Sequence, residues 1–303
     1  MFAMLVVLPF IQHHTNAQTR TRHTAASTGA AITISTESNA IVWIDEIRRG
    51  VSDASGRLTL TKVSAGRHIL RVRANGFKES TIPLLPGRRG NIVVRLMRTT
   101  DEAELTFQEG ETAREQAKDD ESRRKASELY RRALKIRPAF AAAHVGLARV
   151  LLDLNEYQEA LAEIDAARRA RAIYPEASAV EGRIYREAAF TQEAIRSFRR
   201  AISEARGFQP EAHVGLARVL EEKGQYTEAI DEYRTALKQL SDSEPVIYQL
   251  VGAAYEKLQK PKEAVAAYEK YLELAPDGSL APAIRSILEQ LRREAEGREI
   301  IPE

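Results

Sequence analysis

The chain has 303 residues, no cysteine and a single tryptophan. Without a thiol it has no disulfide framework, no cysteine-based metal site and no thiol nucleophile. Aromatic residues make up 6% of the sequence and are not interleaved with basic ones, so no nucleic-acid partner is expected. Long apolar runs are missing as well. The apolar start, residues 1–11, is too short for a bilayer, which takes about 20 residues, and no transmembrane span is expected. No Gly-rich phosphate loop, no His-Glu-x-x-His and no Gly-x-Ser-x-Gly occurs. An enzyme is therefore not expected, and neither is a metal or a cofactor.

Charge is present but unevenly placed. The formal total is +2, yet residues 31–100 hold 12 basic and 5 acidic residues, while 101–303 hold 31 and 38. A basic N-terminal part precedes an acidic C-terminal one, which bears on partners more than on fold. Arg48, Arg49, Arg88 and Arg89 in turns of the basic part could touch an anionic envelope surface, although such turns are usually just solvated.

Residues 1–17 end in Asn16-Ala17 after their apolar run and read as a possible secretory signal, although no Lys or Arg precedes that run. Residues 18–30 have almost no large apolar side chains and read as a flexible leader. Export to the periplasm or cell envelope is the expectation, with a cytoplasmic protein as the alternative.

Residues 31–98 carry short runs such as "AITIST", "AIVWID", "RLTLTKV", "RHILRVRA", "STIPLL" and "NIVVRLM". Apolar and polar residues mostly alternate, and turn residues separate the runs. This predicts an all-β sandwich of about six or seven strands. In "HILRVRA" the alternation is disturbed, which predicts a bulge or a central position. The order of strands and glycines resembles the PEGA family, a small β-sandwich of bacterial surface and envelope proteins, and also the carboxypeptidase regulatory-like sandwich. Glu37-Ser38-Asn39-Ala40 stands where that family has its name-giving turn, and Asn39 can adopt the left-handed conformation required there.

After Thr99 the period changes. Thr99 with Glu102 predicts a capping box for a first helix. The nonapeptide "AHVGLARVL" occurs at 143–151 and again at 212–220, an offset of 69 residues. Half that offset matches a series of small residues: Ala126, Ala160, Ala194, Ala229 and Ala264. Four residues after each lies a bulky side chain (Tyr130, Ile164, Phe198, Tyr233, Tyr268), and seven after it Ala133, Ala167, Ala201, Ala236 or Tyr271. These spacings place one small-and-bulky stripe on a helical face. A proline follows near the end of each unit and is expected to stop the helix.

The ~34-residue period with this arrangement resembles the tetratricopeptide repeat, a helix–turn–helix unit that stacks into a solenoid. The resemblance covers five units within 99–279, the first irregular, with a capping helix expected at 280–297. It implies a concave wall of first helices whose exposed positions would include Val145, Arg149, Arg183, Val214, Arg218 and Gln249. Arg149, Arg183 and Arg218 recur at one position in three successive units and would form a ladder able to hold carboxylates. The competing expectation pairs each of them with a neighbouring acid. His144 and His213 sit two units apart, roughly 20 Å, far beyond metal bonds near 2 Å, and are expected to pack between helices.

The expected whole is a small all-β sandwich followed by an all-α solenoid. It would act as a non-enzymatic scaffold that binds a protein or peptide, such as an acidic segment, on its concave face. A carbohydrate-binding role through Trp43, should that ring face outward, is the alternative; burial in the sandwich core is the more ordinary fate of such a ring. A deep pocket with convergent carboxylates would favour an enzyme instead.

Overall fold

A computed structural model describes residues 31–44, 47–60, 63, 68–240, 242 and 244–299. The expected signal and leader, 1–30, lie outside the described residues.

The N-terminal part contains β1 (Ile32–Ser35), β2 (Ile41–Ile44), β3 (Ile47–Val51), β4 (Arg57–Leu60), β5 (His68–Arg73), β6 (Phe77–Lys78), β7 (Ser80–Leu84), β8 (Gly90–Val93) and β9 (Met97–Arg98). One sheet has the order β4-β1-β8, the other β3-β2-β5-β7, and β6 and β9 form a separate ribbon. Alternation places Ile32, Ile34, Val42, Ile44, Leu70 and Val72 in one buried core between the sheets. Strand β3 falls partly within "RRGVSDASG", a segment whose composition reads as a turn; it forms because β2 offers it an antiparallel edge. The expected disturbance in β5 is a matter of position: β5 lies centrally between β2 and β7, and the register shift is in β2–β3 at Val42/Trp43. Asn39 has φ 56°, the left-handed turn conformation expected of it.

The helices pair as first and second helices of successive units: α1 (Glu102–Gln116) with α2 (Asp120–Ile136), α3 (Ala141–Asp153) with α4 (Tyr157–Ala170), and α5 (Pro175–Glu187) with α6 (Thr191–Glu204). Then come α7 (Pro210–Glu222) with α8 (Tyr226–Gln239) and α9 (Pro245–Lys257) with α10 (Pro261–Leu274), and α11 (Ala281–Glu299) packs on α10. The cap of α1 is Asp101, whose side chain accepts from Glu104 N, and not Thr99, which instead accepts from Asp101 N. Three of the repeated prolines, Pro175, Pro210 and Pro245, open the next first helix instead of ending the previous one. Proline suits that place because the first helical N–H has no partner to lose. Asn155, Ala189, Gly224 and Gln259 end successive first helices with φ of 60°, 62°, 74° and 55°, turning the chain back for the second helix.

The stripe found by spacing is the solenoid's core. The five small anchors and the five bulky residues four positions on are all at most 2% exposed. Glycines on the first helices meet the rings. A Cβ at Gly182 would lie 2.7 Å from Phe198, and one at Gly146 would lie 2.5 Å from Tyr130. Tyr130 is thereby held between Gly110 of its own unit and Gly146 of the next, and Phe198 between Gly182 and Gly215. Gly146 and Gly215 are the glycines of the two "AHVGLARVL" copies. Each copy follows a unit whose bulky residue is an aromatic ring, and its glycine makes room for that ring.

Gly→Ala inside a helix ordinarily stabilises by about 1 kcal/mol. At Gly215 the clash with Phe198 reverses the sign, and Gly215→Ala should destabilise by about 1–3 kcal/mol. Urea unfolding of the full chain checks this; a stabilised variant would contradict the ring-on-glycine contact.

Candidate partner-binding groove

The first helices α1, α3, α5, α7 and α9 form one wall of the solenoid. Its N-terminal half faces the β domain. The outer face of sheet β3-β2-β5-β7 stands opposite α1, α3, α5 and the start of α7, and a cavity of about 960 Å³ lies between them. Trp43, Ile69, Arg71 and Arg73 line it from the sheet; Glu111, Arg149, Glu176 and Arg183 line it from the helices.

Trp43 is 8% exposed, but it is not in the sandwich core. Val42 and Ile44 point inward, so Trp43 points out toward the helices, with the Arg71 guanidinium 4.3 Å and that of Arg73 5.1 Å from its ring centre. The ring is a platform for cations between the domains and not a core residue of the sandwich.

The β domain is fastened to α1. Gln108 accepts from Gly76 N at 3.0 Å and donates to Phe77 O at 2.8 Å. Arg73 meets Glu111 at 3.3 Å with side chains 5% and 11% exposed, and Glu111 also accepts from the Tyr130 hydroxyl. Burial pushes the Glu111 carboxyl up, but Arg114, Arg73 and the Tyr130 hydroxyl outweigh it and hold it at about 2. These contacts were not legible in the sequence, because nothing local marks which strand face meets which helix.

The arginine row divides. Arg149 Nη1 lies 2.6 Å from Glu176 and Nη2 lies 3.9 Å from Glu211. Arg183 lies 3.7 Å from Glu211. Each arginine is thus matched by the acid at the second position of the next unit. For Arg218 the corresponding residue is Val246, which is 54% exposed. Arg218 itself is exposed and makes no ion pair among the described residues. Val145, expected on the open wall, is 1% exposed within the helical core; it is covered by packing between units. Val214 and Gln249 are half-buried.

The cavity's carboxylates are held as ion-pair partners. Glu111 and Glu176 are both shifted down: burial raises each, and neighbouring arginines more than reverse it. Such groups are poor proton donors or acceptors near neutrality, whereas Glu79, on the sheet side of the same cavity, is raised by burial.

His144 and His213 do pack between the helices of a unit, with a polar function that their position alone did not indicate. His144 Nδ1 lies 2.6 Å from Glu163 and Nε2 lies 2.8 Å from Pro138 O; His213 repeats this with Glu232 at 2.5 Å and Gly207 O at 3.3 Å. For His144 the two acceptors favour two N–H donors, and its pKa is raised. Glu163 and Glu232 share the 69-residue offset of the histidines, a signal that was available in the sequence.

Among the described residues, no helix is long and apolar enough to cross a membrane. Family models described as tetratricopeptide repeat match residues 118–184 and 208–277. No curated protein matches the chain. Among solved structures, one titled for the functional characterization of Pseudomonas aeruginosa pilF is 16% identical with TM-score 0.55, covering 64% of this chain and 86% of that one. TTC0263, a thermophilic TPR protein of Thermus thermophilus, is 20% identical with TM-score 0.51, covering 62% and 98%. YrrB, titled as a TPR protein with an unusual peptide-binding site, is 19% identical with TM-score 0.44, covering 62% and 94%.

Two pH dependences follow. Glu111's stabilisation is complete above its ordinary value of 4.5 and is lost as pH falls through about 2. Glu111→Gln should cost about 3 kcal/mol at pH 7 and flatten the stability–pH slope between those values. For His144, burial lowers the pKa, but Glu163 and the Pro138 carbonyl raise it further, for a net upward shift. Its stabilisation is therefore full below pH 6.5 and lost as pH rises through the shifted value. His144→Ala should cost about 1.5–3 kcal/mol at pH 6 and less at pH 9, as read by thermal unfolding at both. The chain consists of a β-sandwich region followed by a helical solenoid in which residues 118–184 and 208–277 match tetratricopeptide repeats.

Proposed function

We propose that the protein is a non-enzymatic scaffold of the bacterial cell envelope that binds an acidic segment of a protein partner along its first-helix wall. The single observation that carries this reading is the break in the charge register at Arg218. In the two preceding units, the arginine at this position is matched by a glutamate of the next unit. At Arg218 the equivalent place in the next unit is taken by exposed Val246, and Arg218 forms no ion pair with that unit among the described residues. A partner carboxylate next to an apolar residue would complete that position in the way Glu176 and Glu211 complete the others. Val214 and Gln249 lie on the same wall and would flank the segment.

The envelope assignment is supported by the resemblance of residues 31–98 to PEGA-like sandwiches and by the signal-like composition of residues 1–17. Arg48 and Arg49 lie in strand β3, not in a turn, and Arg48 pairs with Glu115; the β domain would sit near an anionic surface through its exposed Arg88 and Arg89.

The test is binding of an arrayed set of acidic peptides, with and without an apolar residue beside the carboxylate, to the full chain. Arg218→Ala should weaken the best binders about tenfold or more, consistent with about 1.5–3 kcal/mol for a charge-assisted bond. Arg218→Lys should recover only part of the loss, since the ammonium cannot bind bidentately. Equal affinity for wild type and Arg218→Ala would remove the reading.

A further inference from the structure

The sandwich has two outer faces, and the helices take one of them. Sheet β3-β2-β5-β7 lines the cavity through Trp43, Ile69, Arg71 and Arg73, whereas none of residues 82–100 lines it. Strand β8 lies at the edge of the opposite sheet, β4-β1-β8, away from the cavity.

The sequence around β8 carries one sign of charge. Residues 80–100 hold four arginines and neither Asp nor Glu. From Asn91 to Met97, exposed and buried residues alternate. Ile92, Val94 and Leu96 belong to the sandwich core, while Asn91, Val93, Arg95 and Met97 face outward. Arg88 and Arg89 are exposed in the turn that enters the strand, where Arg88 N donates to Leu85 O at 3.2 Å. Leu85, Val93 and Met97 are 59%, 58% and 68% exposed, so large apolar side chains stand among the cations.

The acids that adjoin this stretch are engaged elsewhere. Glu79 pairs with Arg71 on the cavity side at 3.4 Å, and Asp101 pairs with Arg137. Glu37 accepts from Leu96 N at 3.3 Å. Arg88, Arg89 and Arg95 form no ion pair among the described residues. Guanidiniums among exposed aliphatic side chains match the interface of an anionic bilayer, where charge meets headgroups and apolar tips enter the acyl boundary. A single-stranded nucleic acid would call for aromatic rings to stack on its bases, and the exposed apolar side chains here are aliphatic.

We propose that the β8 face of the sandwich docks on an anionic lipid bilayer. Arg88, Arg89 and Arg95 meet the headgroups, and Leu85, Val93 and Met97 reach the acyl boundary. This rests on the reading that the β domain sits near an anionic surface, and it names that surface and the residues that meet it. Because the face lies on the side of the sandwich away from the cavity, docking leaves the helices turned from the lipid.

The test is co-sedimentation of the full chain with vesicles of phosphatidylcholine alone or mixed equally with phosphatidylglycerol. Binding should require phosphatidylglycerol and weaken as salt rises. Equal binding to phosphatidylcholine alone overturns the proposal. Arg88→Gln with Arg89→Gln should weaken binding about thirtyfold. The control pair Arg132→Gln with Arg199→Gln, exposed on α2 and α6, should leave it unchanged. If both pairs weaken binding alike, net charge is responsible and this face is not. The absence of cysteine allows one environment-sensitive fluorophore at Met97→Cys. Bromine-labelled acyl chains should quench it, and should not quench the same label at exposed Lys238→Cys. A bound but unquenched Met97→Cys label overturns the insertion. If the chain ignores vesicles but binds duplex DNA through Arg88 and Arg89, the lipid proposal falls and the anionic-surface reading stands. If it binds neither, both fall.

Discussion

The architecture depends on one repeated contact: a bulky side chain from each second helix, buried against the first-helix layer. Tyr130 and Phe198 make it most tightly, each against a glycine of its own unit and a glycine of the next. A helix pair cannot bury its apolar stripe alone, so the contact between units does that work. The ring fixes how closely successive first helices approach. That spacing in turn decides which wall residues can touch. Arg149 reaches Glu176, and Arg183 approaches Glu211, because the two helices in each case are held at that separation. The charge pattern of the wall is a consequence of core geometry.

This explains why a nine-residue string is repeated. In each copy the glycine receives the preceding ring, the histidine ties the first helix to a glutamate of the second, and the alanines and leucines fill the core. Nearly every position is constrained by packing within a unit or to the unit before it. The two copies follow the units whose rings, Tyr130 and Phe198, lie against a glycine of the next unit; after Tyr233 the equivalent positions hold Leu250 and Tyr248. Where the preceding unit offers Ile164 instead, the corresponding position is Val180, and the histidine position holds Ser178.

The helical core was legible in the sequence because its determinants are local and periodic. Spacings of four and seven residues identify a buried stripe without knowledge of the tertiary fold, and every anchor and bulky residue so identified is buried. Strands β1, β2, β4, β5, β7 and β8 were legible for the same reason. Strand β3 was not, because its "IRRGV" carries no alternation of its own and it pairs on the edge that β2 provides. The wall was read only in part. Position within a repeat indicated which arginines share a face, but whether each has an acid opposite depends on the next unit. Trp43 shows the limit most clearly: whether a strand residue faces the core or a neighbouring domain is settled by what lies on the other side of the sheet.

The charges between the domains follow a different logic from the core. Aromatic and aliphatic burial is non-directional and holds the solenoid together whatever sits in its groove. The interdomain surface is instead a set of guanidinium–carboxylate pairs around Trp43, nearly balanced in sign and arranged about a cavity. Pairs of this kind add little net stability where solvent reaches them, but they strongly favour one arrangement of partners over another. Where burial is deep, as at Arg73–Glu111, leaving one partner alone is costly and the domains stay joined. Where it is shallow, as at Arg183–Glu211 with side chains 39% and 41% exposed, an exchange of carboxylates costs little. The gradient from α1 outward along the wall is therefore a gradient in how readily a guanidinium can change its partner, and it ends at Arg218, which makes no ion pair among the described residues.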